Sequence, residues 1–206
     1  MKNKFQSKFI VLDGPDGCGK STQTKLLTQW IQSQSVKVEN FRDPGTTVIG
    51  EEIRKILLDV KNDKMNTNTE LLLYMAARAQ LYHEMIAPAL NARKCVILDR
   101  WLSSTCAYQG YAGGFGIEKV IKIAQDSLQR PWPDITIILD IDLEKAAPRL
   151  SENLDRMELK SKNYHEKVRQ GFLELARIMP NFHVVDASLP IQQVHESVLE
   201  KLKELH

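Results

Sequence analysis

The sequence predicts an α/β fold in which five parallel strands form a sheet with helices on both faces. Three observations carry that prediction. Short apolar runs recur at residues 8–13, 36–42, 94–99, 134–140 and 182–186, separated by stretches of helical period. Strands that read as near-continuous apolar runs and alternate with helices describe a parallel sheet buried on both sides. Polar clusters follow the strand ends, at residues 14–22, 42–45, 99–100, 140–142 and 186–188. In open α/β sheets that edge is where ligands bind.

The first strand leads into Gly14-Pro15-Asp16-Gly17-Cys18-Gly19-Lys20-Ser21-Thr22. This is the pattern G-x-x-x-x-G-K-[ST], a phosphate-binding loop, in the strand–helix setting it requires. Gly14, Gly17 and Gly19 let the backbone wrap an anion. The helix of residues 21–34 turns its free N–H groups toward that anion. Lys20 suits phosphate oxygens and the Ser21 hydroxyl suits Mg²⁺. Cys18 lies near a helix N-terminus, where a thiolate is favoured, but the better reading is a small residue where bulk would clash.

The second strand ends at Arg42-Asp43-Pro44-Gly45, where Pro44 and Gly45 close a turn. A helix over residues 47–58 carries Ile49, Ile53, Ile56 and Leu57 on one face, and a polar loop covers 59–66. A long helix follows over 68–91, capped by Asn68 or Thr69, with Pro88 disturbing its last turn. The third strand ends at Asp99-Arg100. A helix over 101–109 leads to a glycine-rich stretch, and another helix covers 117–129. Pro131-Trp132-Pro133 is a rigid connector before the fourth strand. A short helix over 143–150 precedes the very polar residues 151–162. Helices over 164–179 and 191–205 flank the fifth strand.

The bulk numbers bound the function. The chain has 206 residues, enough for one compact domain, and a mixed-sign net charge of +2. That balance gives no argument for nucleic acid or an anionic membrane. No run approaches 18 apolar residues, so no membrane-spanning helix is expected. The three cysteines, Cys18, Cys95 and Cys106, form no C-x-x-C pair, which favours a reducing cytoplasm over a disulfide framework. The histidines show no metal-ligand spacing, and no zinc site is expected.

Asp99 closes an apolar strand, as does the acid that supports Mg²⁺ in phosphate-loop enzymes. Arg42 and Arg100 end two strands at one sheet edge and suit a second phosphate, gripped bidentately. A hydrolase needs one phosphate site and water. A kinase needs a second site with its acceptor oxygen in line. The two arginines therefore point to transfer onto a phosphorylated acceptor. Tyr74 and Arg78, four residues apart on one helix, share a face suited to stacking on a base and hydrogen-bonding its edge. Arg149 and Arg156 belong to a charged segment, about residues 147–162, that has the character of a lid over the donor phosphates.

Taken together these stretches resemble the thymidylate kinase family, from about Lys8 to Val198. The similar stretches are residues 13–23; Arg42-Asp43-Pro44-Gly45 with Ile49-Gly50-Glu51; residues 70–74 with Ala76, Ala77 and Arg78; Asp99-Arg100 through Ser104-Thr105 to residues 107–110; and Leu154-Asp155-Arg156. The resemblance implies a single domain with the three-layer P-loop NTPase fold, a five-stranded parallel sheet and a short lid. It implies transfer of the ATP γ-phosphoryl group to dTMP with Mg²⁺, and a homodimer. At matching positions, Lys20 and Ser21 serve ATP and Mg²⁺, and Asp16 meets the acceptor sugar's 3′-hydroxyl. Arg42 and Arg100 bind the acceptor phosphate. Tyr74 stacks on thymine, and Arg78 reads its O4. Ser104 and Thr105 line the base pocket, and Tyr108 packs where a 2′-hydroxyl would lie. Asp186 and Ala187 sit beside adenine.

The sequence departs from the family pattern where Trp101 replaces a frequent Tyr or His, Asp43 a usual Glu, and Thr46 a usual Gly. Gly17 occupies the place of an arginine found in one subtype. Ala147 and Ser151 stand at positions that are often basic in the other, which leaves Arg149 and Arg156 as the lid candidates. The rival readings are a kinase for another pyrimidine monophosphate such as dUMP, and a nucleotide-binding regulator with a degenerate lid.

Overall fold

The computed structural model describes residues 3–150 and 154–205. Part of the expected lid, residues 151–153, lies outside the described residues, and Ser151 with it. The described strands are β1 (Phe9–Asp13), β2 (Val38–Arg42), β3 (Cys95–Asp99), β4 (Ile135–Asp140) and β5 (Phe182–Asp186). They form one sheet in the order β2-β3-β1-β4-β5, every pairing parallel. β1 is therefore central. Its five residues are all buried, and the loop that leaves it emerges mid-edge between the ends of β3 and β4.

Side chains alternate across each strand. Phe9, Val11, Val96 and Leu98 enter one apolar layer, while Ile10, Leu12, Ile97 and Leu139 enter the other. The second layer is closed by α1 (Lys20–Ser33) and α9 (Ile191–Lys201), through Leu27, Ile31, Val194 and Val198. The first is closed by α3 (Thr67–Leu81), α6 (Ile117–Ser127) and α8 (Lys162–Ile178), through Leu71, Met75, Val120, Phe172 and Leu175. Helix α2 (Val48–Leu58) lies against α3. Only Leu57 of its four expected face residues is fully buried. Ile49 and Ile56 are 52% and 47% exposed, because α2 covers α3 and not the sheet itself.

Several boundaries differ from the sequence reading, each for a local reason. The long helix starts one residue earlier, capped by the Asn66 side chain, which accepts from Asn68 N at 2.8 Å. It is regular only to Leu81. A π-helical turn, Tyr82–Ile86, precedes α4 (Ala87–Asn91). Pro88 has no N–H to donate and its ring crowds the carbonyl four residues back, so the disturbance falls on the turn before it. The glycine-rich stretch begins inside a helix and leaves it at Gly113. After α5 (Leu102–Thr105) the chain winds as a π-helix, Cys106–Ala112, with Gly113 N donating to Tyr108 O at 2.8 Å. α7 (Leu143–Ala146) passes into a 3₁₀ turn, Ala147–Arg149, at Pro148. α8 begins at Lys162, with Ser161 accepting from Tyr164 N. Among the described residues no helix is long and apolar enough to cross a membrane.

The π-helical segment packs closely on α8. A Cβ at Gly171 would lie 2.9 Å from Tyr111 Cβ and 3.0 Å from Ala107 Cα. Gly171→Val should therefore overpack this seam and lower unfolding stability by about 1–3 kcal/mol. Denaturant titration checks it; an unchanged midpoint contradicts the packing described.

Candidate active site

The loop after β1 supplies the first anion cradle. Gly14, Gly17 and Gly19 have φ of 141°, 75° and 94°, values that side chains resist. A Cβ at Gly17 would also meet the Ala146 carbonyl at 2.7 Å. Position 17 therefore cannot hold an arginine without moving α7. Lys20 folds back across the loop and donates to Pro15 O at 2.9 Å and Gly14 O at 3.2 Å. Cys18 is buried beside it, 3.5 Å from Nζ. Burial pushes its thiol pKa up, and Lys20 offsets this only in part. Desolvation outweighs the neighbouring cations Lys20 and Arg100, so the thiolate is not favoured and Cys18 is a packing group under Gly14.

The Ser21 hydroxyl lies 3.5 Å from Asp99 Oδ2 at the end of β3. Both face an open cleft of about 520 Å³ with Gly19, Lys20, Thr22, Arg42, Arg100 and Arg149. A hydroxyl, one carboxylate and room for phosphate oxygens are the hard donors that Mg²⁺ takes, since it keeps waters and binds through few protein ligands.

Asp13 and Asp16 organise the rest. Asp13 is fully buried and accepts from Gly14 N (2.9 Å), Ser103 Oγ (2.5 Å) and Ser104 Oγ (2.7 Å). It therefore staples the phosphate loop to α5, the helix that follows β3. Arg100 follows β3 at φ 68°, a left-handed position that a non-glycine side chain adopts only under constraint. Its guanidinium pairs with Asp16 and donates to Gly14 O (3.1 Å) and Ser104 Oγ (3.0 Å). Burial alone would lower its pKa; Asp16, Tyr108 and Asp13 reverse that and raise it. Burial would likewise raise Asp16. The charges of Arg100 and Lys20 and the Tyr108 hydroxyl, which donates to Asp16 at 2.7 Å, prevail and hold it at about 2.

A second cleft, of about 150 Å³, adjoins the first through Asp16, Arg54 and Arg100. Its walls bring together Tyr74, Arg78, Ser104, Thr105 and Tyr108, the residues expected at an acceptor base. Arg78 is 1% exposed. Its Nε and Nη2 hold Asp43 Oδ2 at 2.8 and 2.5 Å, and Nη2 also reaches Thr105 Oγ1 at 3.0 Å. Burial raises the Asp43 carboxyl, and Arg78 pulls it only part of the way back. Arg42 lines the first cleft and not the second, half exposed and held by Glu51 at 2.9 Å.

The lid candidates part company. Arg149 lines the phosphate cleft and donates to Ala187 O at 3.4 Å, beside the turn in which Asp186 accepts from Ser188 N. Arg156 lies elsewhere, contrary to its expected place over the donor phosphates. It is 5% exposed, pairs with Glu70 at 2.5 Å and donates to Leu57 O at 2.7 Å. Glu70 in turn accepts from Gln109 Nε2 at 2.7 Å. A buried acid one turn before Tyr74 outcompetes solvent for this guanidinium.

Sequence reasoning missed Asp13, Ser103 and Arg54. Arg54 bridges both clefts and donates to Pro44 O at 3.0 Å. Its only sequence signal is a cation one turn after Glu51 on α2. Asp13 had a signal, an acid closing a buried strand, but it read as part of the motif.

The family model described as thymidylate kinase matches residues 12–198. A thymidylate kinase of Thermoanaerobacter sp. (strain X514) is 41% identical over 201 residues, 97% of this chain and 98% of the relative. One from Symbiobacterium thermophilum is 43% identical over 201 residues, 97% and 94% of the two chains. The crystal structure of thymidylate kinase from Ehrlichia chaffeensis superposes with a TM-score of 0.79 at 30% identity, covering 96% of this chain and 99% of that one.

The charges at Asp16 give a pH prediction. Its carboxyl is depressed in the fold, so it stabilises above the unfolded pKa near 4 and loses that contribution as pH falls through about 2. Asp16→Asn should cost about 1–2 kcal/mol of stability near pH 7, and the gap to wild type should close toward pH 2. Denaturant melts at several pH values measure it; a gap independent of pH contradicts the assignment.

Proposed function

The chain belongs to the thymidylate kinase family, ATP-dependent kinases that phosphorylate dTMP, and from that premise we propose how its own residues divide the work. ATP lies with its phosphates along the loop of Gly14 to Thr22, with Pro15, Asp16, Gly17, Cys18 and Gly19 supplying backbone contacts. Adenine lies toward Asp186 and Ala187. Lys20 leaves its carbonyl partners for phosphate oxygens. Ser21 and Asp99 would hold Mg²⁺, which would supply positive charge to offset that of the phosphates.

dTMP occupies the smaller cleft. Its base stacks on Tyr74 and reaches Arg78 between Ser104 and Thr105, its sugar meets Asp16 and Tyr108, and its phosphate meets Arg42, Arg54 and Arg100. The observation that carries this reading is the junction of the two clefts at Asp16, Arg54 and Arg100. Two anions seated there face one another. An acceptor phosphate is already anionic, so alignment and cationic charge suffice and no strong base is required. Arg149 is the arginine favoured for the transferring group. Arg156 is instead the root that fastens the lid of residues 147–162 to α3, within a single domain of residues 1–206.

Val48, Ile49 and Ile56 on α2 and Leu72 on α3 are exposed apolar residues of two helices packed together, which supports a homodimer through these helices. The cysteines Cys18, Cys95 and Cys106 are all free, which supports a cytoplasmic setting.

ADP release measured side by side with dTMP, dUMP, UMP and dCMP tests the assignment. dTMP should be turned over fastest; equal turnover of UMP would contradict the sugar and base contacts named. Lys20→Ala should reduce kcat by about 10²–10⁴-fold. Arg149→Ala should lower kcat with little change in the dTMP KM, whereas Arg78→Ala should raise the dTMP KM more than the ATP KM. Arg78→Ala with an unchanged dTMP KM would remove the base site from this cleft.

A further inference from the structure

Thr46 has φ 71°, a left-handed position that glycine adopts freely and a β-branched side chain resists. It is exposed, so packing does not hold it there. Its hydrogen bonds do. The Thr46 hydroxyl accepts from Arg42 N at 3.0 Å and donates to Arg42 O at 3.1 Å. The Thr46 N–H donates to Glu51 Oε1 at 2.6 Å, the same oxygen that takes Arg42 Nη2 at 2.9 Å. That N–H is the first cause holding the Glu51 carboxyl below its usual range.

The place of Arg42 in the sheet explains the use of a hydroxyl here. β2 is an edge strand, paired with β3. Asp43 N donates to Asp99 O across that pair. Peptide groups alternate sides along a strand, so the N–H and C=O of Arg42 face off the sheet, where an edge leaves such groups unpaired. One hydroxyl, donor and acceptor at once, satisfies both. Thr46 thus grips Arg42 at its backbone and, through Glu51, at its guanidinium. Gly45 closes the clasp: a Cβ there would meet Glu51 Oε1 at 2.6 Å and Arg42 Nε at 3.3 Å.

We propose that Thr46 is a positioning residue for the acceptor phosphate, its hydroxyl and N–H aiming Arg42 at that phosphate through this clasp. Thr46 itself lines neither cleft. The inference deepens the reading in which Arg42 meets the dTMP phosphate and rests on it. Thr46→Gly and Thr46→Ser separate it from a structural role. A turn that needs only its shape is served best by glycine at φ 71°, so a merely structural Thr46 makes Thr46→Gly at least as good as wild type. A positioning Thr46 makes Thr46→Gly worse and Thr46→Ser, which keeps the hydroxyl, equal to wild type.

Titration calorimetry reads the Kd of dTMP and that of thymidine, which lacks the phosphate. Thr46→Gly should weaken dTMP by about two- to fivefold, the scale of one exposed ion pair, and leave thymidine unchanged. Thr46→Ser should bind both as wild type does. In an Arg42→Ala background Thr46→Gly should have no further effect. Unchanged dTMP affinity in Thr46→Gly overturns the proposal. So does an equal loss for dTMP and thymidine, a loss that persists without Arg42, or a loss in Thr46→Ser as large as in Thr46→Gly. If Arg42→Ala weakens dTMP and Thr46→Gly does not, only this inference fails. If Arg42→Ala binds dTMP as tightly as wild type, the placing of the acceptor phosphate at Arg42 fails with it.

Discussion

The structure depends on one cation held at an awkward place. Arg100 leaves β3 in a left-handed conformation and reaches Asp16, the Gly14 carbonyl and Ser104. These groups belong to two segments, the phosphate-binding loop after β1 and the turn into α5 that follows β3. Backbone strain of this kind costs about 1–3 kcal/mol and persists only where the surroundings fix it. Here the fixing comes from Asp13, fully buried between the same two segments and satisfied by two serine hydroxyls and a backbone N–H. Because β1 and β3 are parallel neighbours, their C-terminal ends leave the sheet side by side.

Around that node the two clefts differ in character. The phosphate side is open and cationic, and its lysine rests on carbonyls that a phosphate can replace. The smaller cleft has the buried pair of Arg78 with Asp43 in its wall, and a second buried pair, Arg156 with Glu70, joins that wall through Gln109. Such pairs add little net stability once desolvation is counted, but removing one partner strands a buried charge. They fix side-chain positions around a base-sized space, which a purely apolar wall would leave freer to rearrange.

Much of this was legible in the chain itself. The strand–loop–helix of residues 8–34 and the parallel sheet followed from apolar runs and glycine positions. What was not legible shares a cause. The π-helical turns at 82–86 and 106–112 preserve the helical look of the sequence while changing which residues face inward. Arg156 reads as a solvent-facing lid cation because its partner, Glu70, lies 86 positions away in the sequence. Arg54 reads as an ordinary surface residue of a helix until the fold puts that helix over the junction. Local patterns reveal elements and motifs; they do not reveal which distant carboxylate will capture a given arginine.

The central claim is that donor and acceptor phosphates meet at the Arg100 junction. A crystal structure with Mg²⁺, dTMP and a non-hydrolysable ATP analogue tests it most directly. The terminal phosphate should contact Lys20, the dTMP phosphate should contact Arg42, Arg54 and Arg100, and the acceptor oxygen should lie about 3–3.5 Å from the terminal phosphorus. A dTMP phosphate bound away from Arg100, or separated from the donor by more than a water layer, would contradict the account.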